Sequence, residues 1–135
     1  MLYFAYGSNL NHFQMKRRCK DSKFIKKMKL KDFQLTFRSK YRAADIEKSK
    51  NSIVPGALFE ISKSDEKKLD VYEDFPILYK KLYFTYYNRT VMTYIMANKT
   101  EFRNPTERYL NVVKRGYKDC KLDVKYLKIA LQPVK

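Results

Sequence analysis

The order of apolar periodicities along this 135-residue chain predicts an α+β fold with a mixed, barrel-like sheet and flanking helices. Three observations carry that expectation. Strand-like patterns fill the middle of the chain, between Phe24 and Ala97. Helix-like patterns follow an early glycine, recur just before Glu73 and close the sequence. The two kinds of segment do not alternate one for one, as a doubly wound sheet requires. With 44% hydrophobic and 16% aromatic residues against 33% charged, the chain can fill a core rather than stay disordered. Its length suits a single domain spanning residues 1–135.

Taken in order, Tyr3-Phe4-Ala5-Tyr6 reads as a buried strand, and Gly7-Ser8-Asn9-Leu10 breaks it. Gly7 permits backbone angles and a close ligand approach that a side chain forbids. Ser8 or Asn9 is placed to cap a short helix from Leu10 to Arg18, leaving backbone N–H groups open toward the loop. Such groups attract carboxylates and developing oxyanions. The same pattern also fits an ordinary tight turn, and these residues alone do not separate the two.

Phe24–Lys31 alternates as a strand, and Phe33, Leu35 and Phe37 continue the alternation after a bend near Asp32. Ser39–Ser52 shifts to Lys, Ser, Asn and Asp without periodicity. It is expected to be an irregular, mobile excursion, with a short strand at Ala44-Asp45-Ile46. Ile53–Ile61 returns to strand, although Pro55 cannot donate to a ladder and Gly56 points to a bulge or close backbone contact. Ser62–Asp74 reads as a helix capped by Ser64, with Asp65 and Glu66 in its first turn, and Phe75-Pro76 ends it. Tyr79–Tyr87 and Thr90–Ala97 form a hairpin about Asn88-Arg89. Pro105-Thr106 opens a helix to about Gly116, with Tyr109, Val112 and Val113 toward the core, and Asp123–Leu131 has the spacing of a final docked helix.

Composition narrows the function. No basic stretch precedes the first apolar run, and no apolar segment approaches the ~20 residues that span a bilayer, so a soluble, cytoplasmic protein without a membrane partner is expected. One histidine, His12, and two cysteines, Cys19 and Cys120, fall short of a zinc site, and both thiols are expected to be free. Neither a phosphate-binding nor a dinucleotide glycine pattern occurs. A hydrolase pairing Ser8 with His12 lacks both the nucleophile elbow and a supporting acid. The net charge of +16 raises polyanion binding as an alternative function. However, the basic residues are spread over nearly every segment and are mostly lysine, so no specific nucleic acid is expected.

One carboxylate stands out. Glu73 lies inside Leu69-Asp70-Val71-Tyr72-Glu73-Asp74-Phe75-Pro76-Ile77-Leu78-Tyr79, among aromatic residues that would desolvate it and raise its pKa into the range useful for proton transfer. Alternatively it is a helix-terminal acid paired with Lys80 or Lys81.

At this point the chain resembles a known family. YFAYGSNL at residues 3–10, Met15 and Arg18, KLKDFQLTF at 29–37, VPGALFEI at 54–61, LDVYEDFPILY at 69–79, and the late Tyr109 and Gly116 are together similar to the γ-glutamylcyclotransferase-like superfamily. The resemblance implies a mixed β-barrel with flanking helices and a pocket built on the YGSNL loop. It implies an enzyme that cyclises a γ-glutamyl group to 5-oxoproline and releases an amino acid or amine, without a cofactor. Carried over by position, Glu73 becomes the acid/base. Tyr6, Gly7, Ser8, Asn9 and Leu10 become the binding loop; Tyr79 matches the tyrosine that closes the second motif and Tyr109 one that lines the pocket, both as substrate-binding residues. Asp74 departs from the pattern, standing where many members have glycine. The implied partner is a small γ-glutamyl substrate, with the protein a monomer or homodimer; a noncatalytic metabolite-binding member is the alternative. Tyr41–Lys50 and Asn98–Arg103 are expected to influence the choice of leaving group.

Overall fold

A computed structural model of the chain describes residues 1–131. Strand β1 (Leu2–Ala5) is buried along its whole length because it runs through the middle of the sheet. It lies antiparallel to β3 (Ala43–Glu60) on one side and parallel to β5 (Arg89–Met96) on the other. With β2 (Lys23–Arg38) and β4 (Tyr79–Tyr86) at the edges, the order is β2-β3-β1-β5-β4. A strand apolar on successive residues suits such a central position, where both faces are covered.

The sheet is mixed, as expected, but open: no ladder joins β2 to β4 among the described residues. Its curvature still brings the two edges together, with Lys26 Nζ 5.8 Å from the centre of the Tyr86 ring. The helices are α1 (His12–Arg18), α2 (Lys63–Tyr72), α3 (Glu107–Asp119) and α4 (Lys125–Ala130). None of the described helices is long and apolar enough to cross a membrane. Cys19 and Cys120 are buried free thiols, each pushed up to about 12 by burial.

The largest departure from expectation is at Ser39–Ser52, which is not an excursion. β2 and β3 form one long hairpin, paired from Lys23↔Glu60 out to Arg38↔Ala43, with a tight turn at residues 39–42. The Arg42 N–H donates to the Ser39 carbonyl at 3.0 Å, and both residues take positive φ. The periodicity is missing because part of the buried face here is charged: Arg38 and Asp45 are buried beside Ala44 and Ile46. The bend near Asp32 is real, but it is a bulge within a continuous strand. There Asp32 has φ 65°, the register shifts between Lys31 and Phe33, and the Asp32 carboxylate accepts the Asn51 N–H at 3.0 Å.

Three caps and turns also shift. Ser8–Leu10 forms its own 3₁₀ turn, so α1 starts at His12 and is capped by Asn11, whose Oδ1 accepts the Gln14 N–H at 3.1 Å. Helix α2 is capped by Ser62 rather than Ser64. Ser62 and Asp65 exchange bonds of 3.0 and 3.2 Å in a capping box, which needs the acid three residues on. The β4–β5 turn is Tyr87-Asn88, both at positive φ, because Arg89 already pairs with Tyr86.

Helix α3 begins where expected, with Thr106 accepting the Tyr109 N–H at 3.2 Å. It lies directly on the 3₁₀ turn. A Cβ at Gly116 would sit 2.6 Å from both the Asn11 nitrogen and the Leu10 Cβ, so only glycine lets the helix backbone press on the segment that carries the site.

Candidate active site

The 3₁₀ turn, the end of α2, the start of β4 and the start of β3 surround a cavity of about 530 Å³. Six of the seven loop and pocket residues expected from sequence, Tyr6, Gly7, Ser8, Asn9, Tyr79 and Tyr109, line it together, and so does Glu73. Leu10 does not. Its side chain is fully buried and its N–H donates to the Gly7 carbonyl at 3.0 Å. That bond is the first within the turn, so the Ser8 and Asn9 N–H groups have no partner inside it. Gly7 is required by space: a Cβ would meet the Ala44 Cβ at 3.1 Å and the Tyr109 hydroxyl at 3.3 Å.

The walls are mostly tyrosine, and their hydroxyls are tied to fixed partners. Tyr6 donates to the Tyr94 carbonyl and Tyr79 to the Ala44 carbonyl, both at 2.6 Å, while the Ala44 N–H donates to the Tyr109 hydroxyl at 3.2 Å. Tyr94 donates to Asp70 at 2.6 Å. Burial raises the pKa of Tyr3, Tyr6, Tyr79, Tyr94 and Tyr109 above the ordinary phenol value, so these rings remain neutral near pH 7.

The turn itself is braced. Asn9 Nδ2 donates to the Tyr3 hydroxyl at 3.0 Å, and Arg18 Nη1 donates to Asn9 Oδ1 at 2.6 Å. The Arg18 guanidinium stacks 3.5 Å from the centre of the Tyr72 ring, and the Tyr72 hydroxyl shares a 3.1 Å hydrogen bond with Ser8 Oγ. Side chains from β1, α1 and α2 thus fix the loop's shape.

Glu73 differs from its neighbours. Among the described residues no hydrogen bond or ion pair reaches its carboxylate, because Lys81 pairs instead with Glu66 at 2.9 Å and Asp70 at 3.0 Å. Burial pushes Glu73 up to about 7, against a smaller opposing pull from Arg18. A carboxyl group without a partner among the described residues, raised to about 7 in a cavity lined by neutral phenols and by residues of the 3₁₀ turn, can accept a proton and return it.

Sequence reading missed Tyr3 and Tyr94 as wall residues and Arg18 as a brace, and it placed Tyr72 beside Glu73 without assigning it to the binding site. Tyr72 had a local signal, since it adjoins Glu73 at the helix end. Tyr3 and Tyr94 had none: their rings meet edge to face at 6.0 Å only because β1 and β5 run parallel.

A sequence model of the family described as "Gamma-glutamyl cyclotransferase, AIG2-like" matches residues 3–116. The chain belongs to that family. No curated protein sequence matches it. Among solved structures, it is similar to a gamma-glutamyl cyclotransferase at 25% identity, covering 100% of this chain and 89% of that one, with a TM-score of 0.79. An uncharacterized human protein gives 25% identity, 99% and 89% coverage and a TM-score of 0.77. YkqA from Bacillus subtilis shares the fold at 20% identity and a TM-score of 0.76, this chain spanning 52% of its length and aligning over 96% of its own.

The end of α2 gives a physical reason for the glycine that the family resemblance implies at position 74. Glu73 is the C-cap of α2. The Phe75 N–H donates to the Asp70 carbonyl at 2.9 Å and the Asp74 N–H to the Val71 carbonyl at 3.1 Å, the two bonds of a Schellman ending. Asp74 therefore sits at the left-handed position, with φ 52°. Aspartate tolerates that region better than most residues, and glycine is best. The expected stability order is Gly at or above Asp, then Ala, with Asp74→Ala costing about 1 kcal/mol and Asp74→Gly gaining up to about 1 kcal/mol. Thermal denaturation checks it; an Ala variant as stable as the parent would contradict it.

Proposed function

We propose that the protein is a cofactor-independent cyclotransferase that converts a γ-glutamyl compound to 5-oxoproline and releases an amino acid or amine. The observation carrying this reading is Glu73, a carboxylate raised to about 7 by burial, which lines the same cavity as Gly7, Ser8 and Asn9. The substrate's α-nitrogen attacks its own γ-carbonyl carbon. One C–N bond forms, closing the lactam, and the C–N bond to the leaving amine breaks. Two protons leave the α-ammonium and two reach the departing nitrogen. Glu73 accepts one from the attacking nitrogen and delivers it to the leaving one, and the other exchanges through solvent.

Because both reacting groups belong to one molecule, the protein's main task is to fold the substrate into attacking geometry. The tyrosine walls, fixed by their own hydrogen bonds, supply that shape. The Ser8 and Asn9 N–H groups face the carbonyl oxygen or the α-carboxylate; one donor aimed at the oxyanion contributes about 3 kcal/mol. The Leu10 N–H takes no part, since Gly7 already holds it.

The test is incubation with a panel of γ-glutamyl amino acids and amines, measuring 5-oxoproline by mass spectrometry. Release from at least one member, absent in a Glu73→Gln control, is expected. No release from any of them would overturn the proposal.

A further inference from the structure

The cavity does not end at its own walls. Tyr41 and Leu78 also border a second hollow of about 320 Å³, which continues outward between the β2–β3 turn and the segment after β5. Given the cyclotransferase reading above, on which this inference rests, the leaving nitrogen departs beside Glu73. Glu73 lines the first cavity, and Leu78 and Tyr41 border both, so a leaving group longer than an amino acid's backbone passes Leu78 and Tyr41 into the second hollow.

The chemistry of that hollow is uneven. Ile77, Leu78 and Tyr41 offer apolar surface, with Ile77 72% exposed, and Asn98 adds a polar edge. Among the described residues Lys40 is its single charged lining residue. The ammonium lies 5.2 Å from the centre of the Tyr41 ring and makes no ion pair among the described residues. Two nearby cations are paired with acids, Lys99 with Asp45 at 2.7 Å and Arg38 with Glu47 at 2.7 Å, while Arg42 of the same turn is held by the Asn104 and Pro105 carbonyls. An apolar stem would lie on Ile77 and Tyr41, and a terminal anion would meet Lys40. A terminal ammonium, as in a diamine, would be placed against a like charge.

We propose that this hollow is the leaving-group subsite and that Lys40 makes the protein prefer γ-glutamyl compounds whose leaving amine has an apolar stem ending in a carboxylate.

The experiment compares kcat/KM for γ-glutamylaminohexanoate, γ-glutamylhexylamine and γ-glutamyldiaminohexane, with γ-glutamylalanine as a short reference, in the parent and in Lys40→Glu. The parent is expected to favour the carboxylate over the diamine by about fivefold, less at high salt, as suits one exposed charge. Lys40→Glu is expected to reverse that order while leaving γ-glutamylalanine within about twofold. Lys40 is exposed and makes no hydrogen bond among the described residues, so the variant should fold; a thermal melt verifies this. Equal rates for carboxylate and diamine in the parent, or an unchanged order in Lys40→Glu, would overturn the subsite. Absence of turnover on every compound, γ-glutamylalanine included, would instead remove the cyclotransferase reading and the subsite with it.

Discussion

Replacing Glu73 by glutamine is expected to lower 5-oxoproline release by on the order of 10²–10⁴-fold, the usual contribution of a positioned acid/base. Glutamine keeps the size and shape of the side chain but cannot carry a proton. The substrate should still bind, because the tyrosine walls and the Ser8 and Asn9 N–H groups are untouched. Turnover by the parent should rise with pH through about 7 as the carboxylate ionises, then level off. Steady-state kinetics across pH checks both statements, and a Gln variant with near-parental turnover would remove Glu73 from the chemistry.

The same substitution should stabilise the fold, in a pH-dependent way. Glu73 is raised from 4.5 to about 7 in the folded chain. Below 4.5 both folded and unfolded chains hold the proton, and the group imposes no penalty. Between 4.5 and 7 the unfolded chain releases a proton that the folded chain keeps, so stability falls as pH rises. Above 7 the folded protein contains a desolvated charge costing at most about 3 kcal/mol, a ceiling because the carboxylate retains a partial view of solvent. Parent and Glu73→Gln should therefore unfold alike in urea near pH 4, and the variant should be the more stable at pH 8. Equal stability at both values would show that Glu73 is not desolvated. Placing a destabilised charge in a cavity is the expected cost of a proton carrier that works near neutrality.

How far such features can be read from sequence depends on how local their causes are. The burial of Glu73 was legible in part, because Tyr72 beside it and Tyr79 six residues on line the same cavity, whereas Tyr3, Tyr6, Tyr94 and Tyr109 come from distant elements. The β4–β5 hairpin was legible for the same local reason, with an error of one residue in its turn. The outer half of the β2–β3 hairpin was not. Its buried acid is satisfied by the Met96 N–H and by Lys99, some fifty residues away, and a charged residue on a buried face erases the apolar alternation that marks a strand. The wall formed by Tyr3 and Tyr94 was hidden too, since it depends on a parallel pairing between the first and last strands of the sheet. The capping error at α2 was avoidable, because Asp65 stands three residues after Ser62.

The buried acid on β3 makes the second large prediction. Asp45 is fully buried. Its carboxylate accepts the Met96 N–H at 2.8 Å and pairs with Lys99 at 2.7 Å, with Arg38 Nε at 3.5 Å. Arg38 is itself buried and keeps Glu47 and the Thr100 carbonyl as partners, each at 2.7 Å. Asp45→Ala leaves a buried guanidinium with half its counter-charge and an orphaned backbone N–H, and is expected to cost about 3–5 kcal/mol. Asp45→Asn retains an acceptor for Met96 and should cost less, so the difference between the variants separates the hydrogen bond from the charge. Lys99→Met should cost least, since the lysine is 36% exposed and leaves Asp45 with Arg38. The effect should extend to the cavity. Ala44, the residue before Asp45, holds the Tyr79 and Tyr109 hydroxyls through its carbonyl and N–H. Loss of the Asp45 anchor therefore frees the strand that fixes two tyrosines of the wall. Urea denaturation gives the stability order, and near-ultraviolet circular dichroism of the tyrosines reports the wall. If Asp45→Ala were as stable as the parent, the buried charge cluster would not be what holds the outer hairpin against β5.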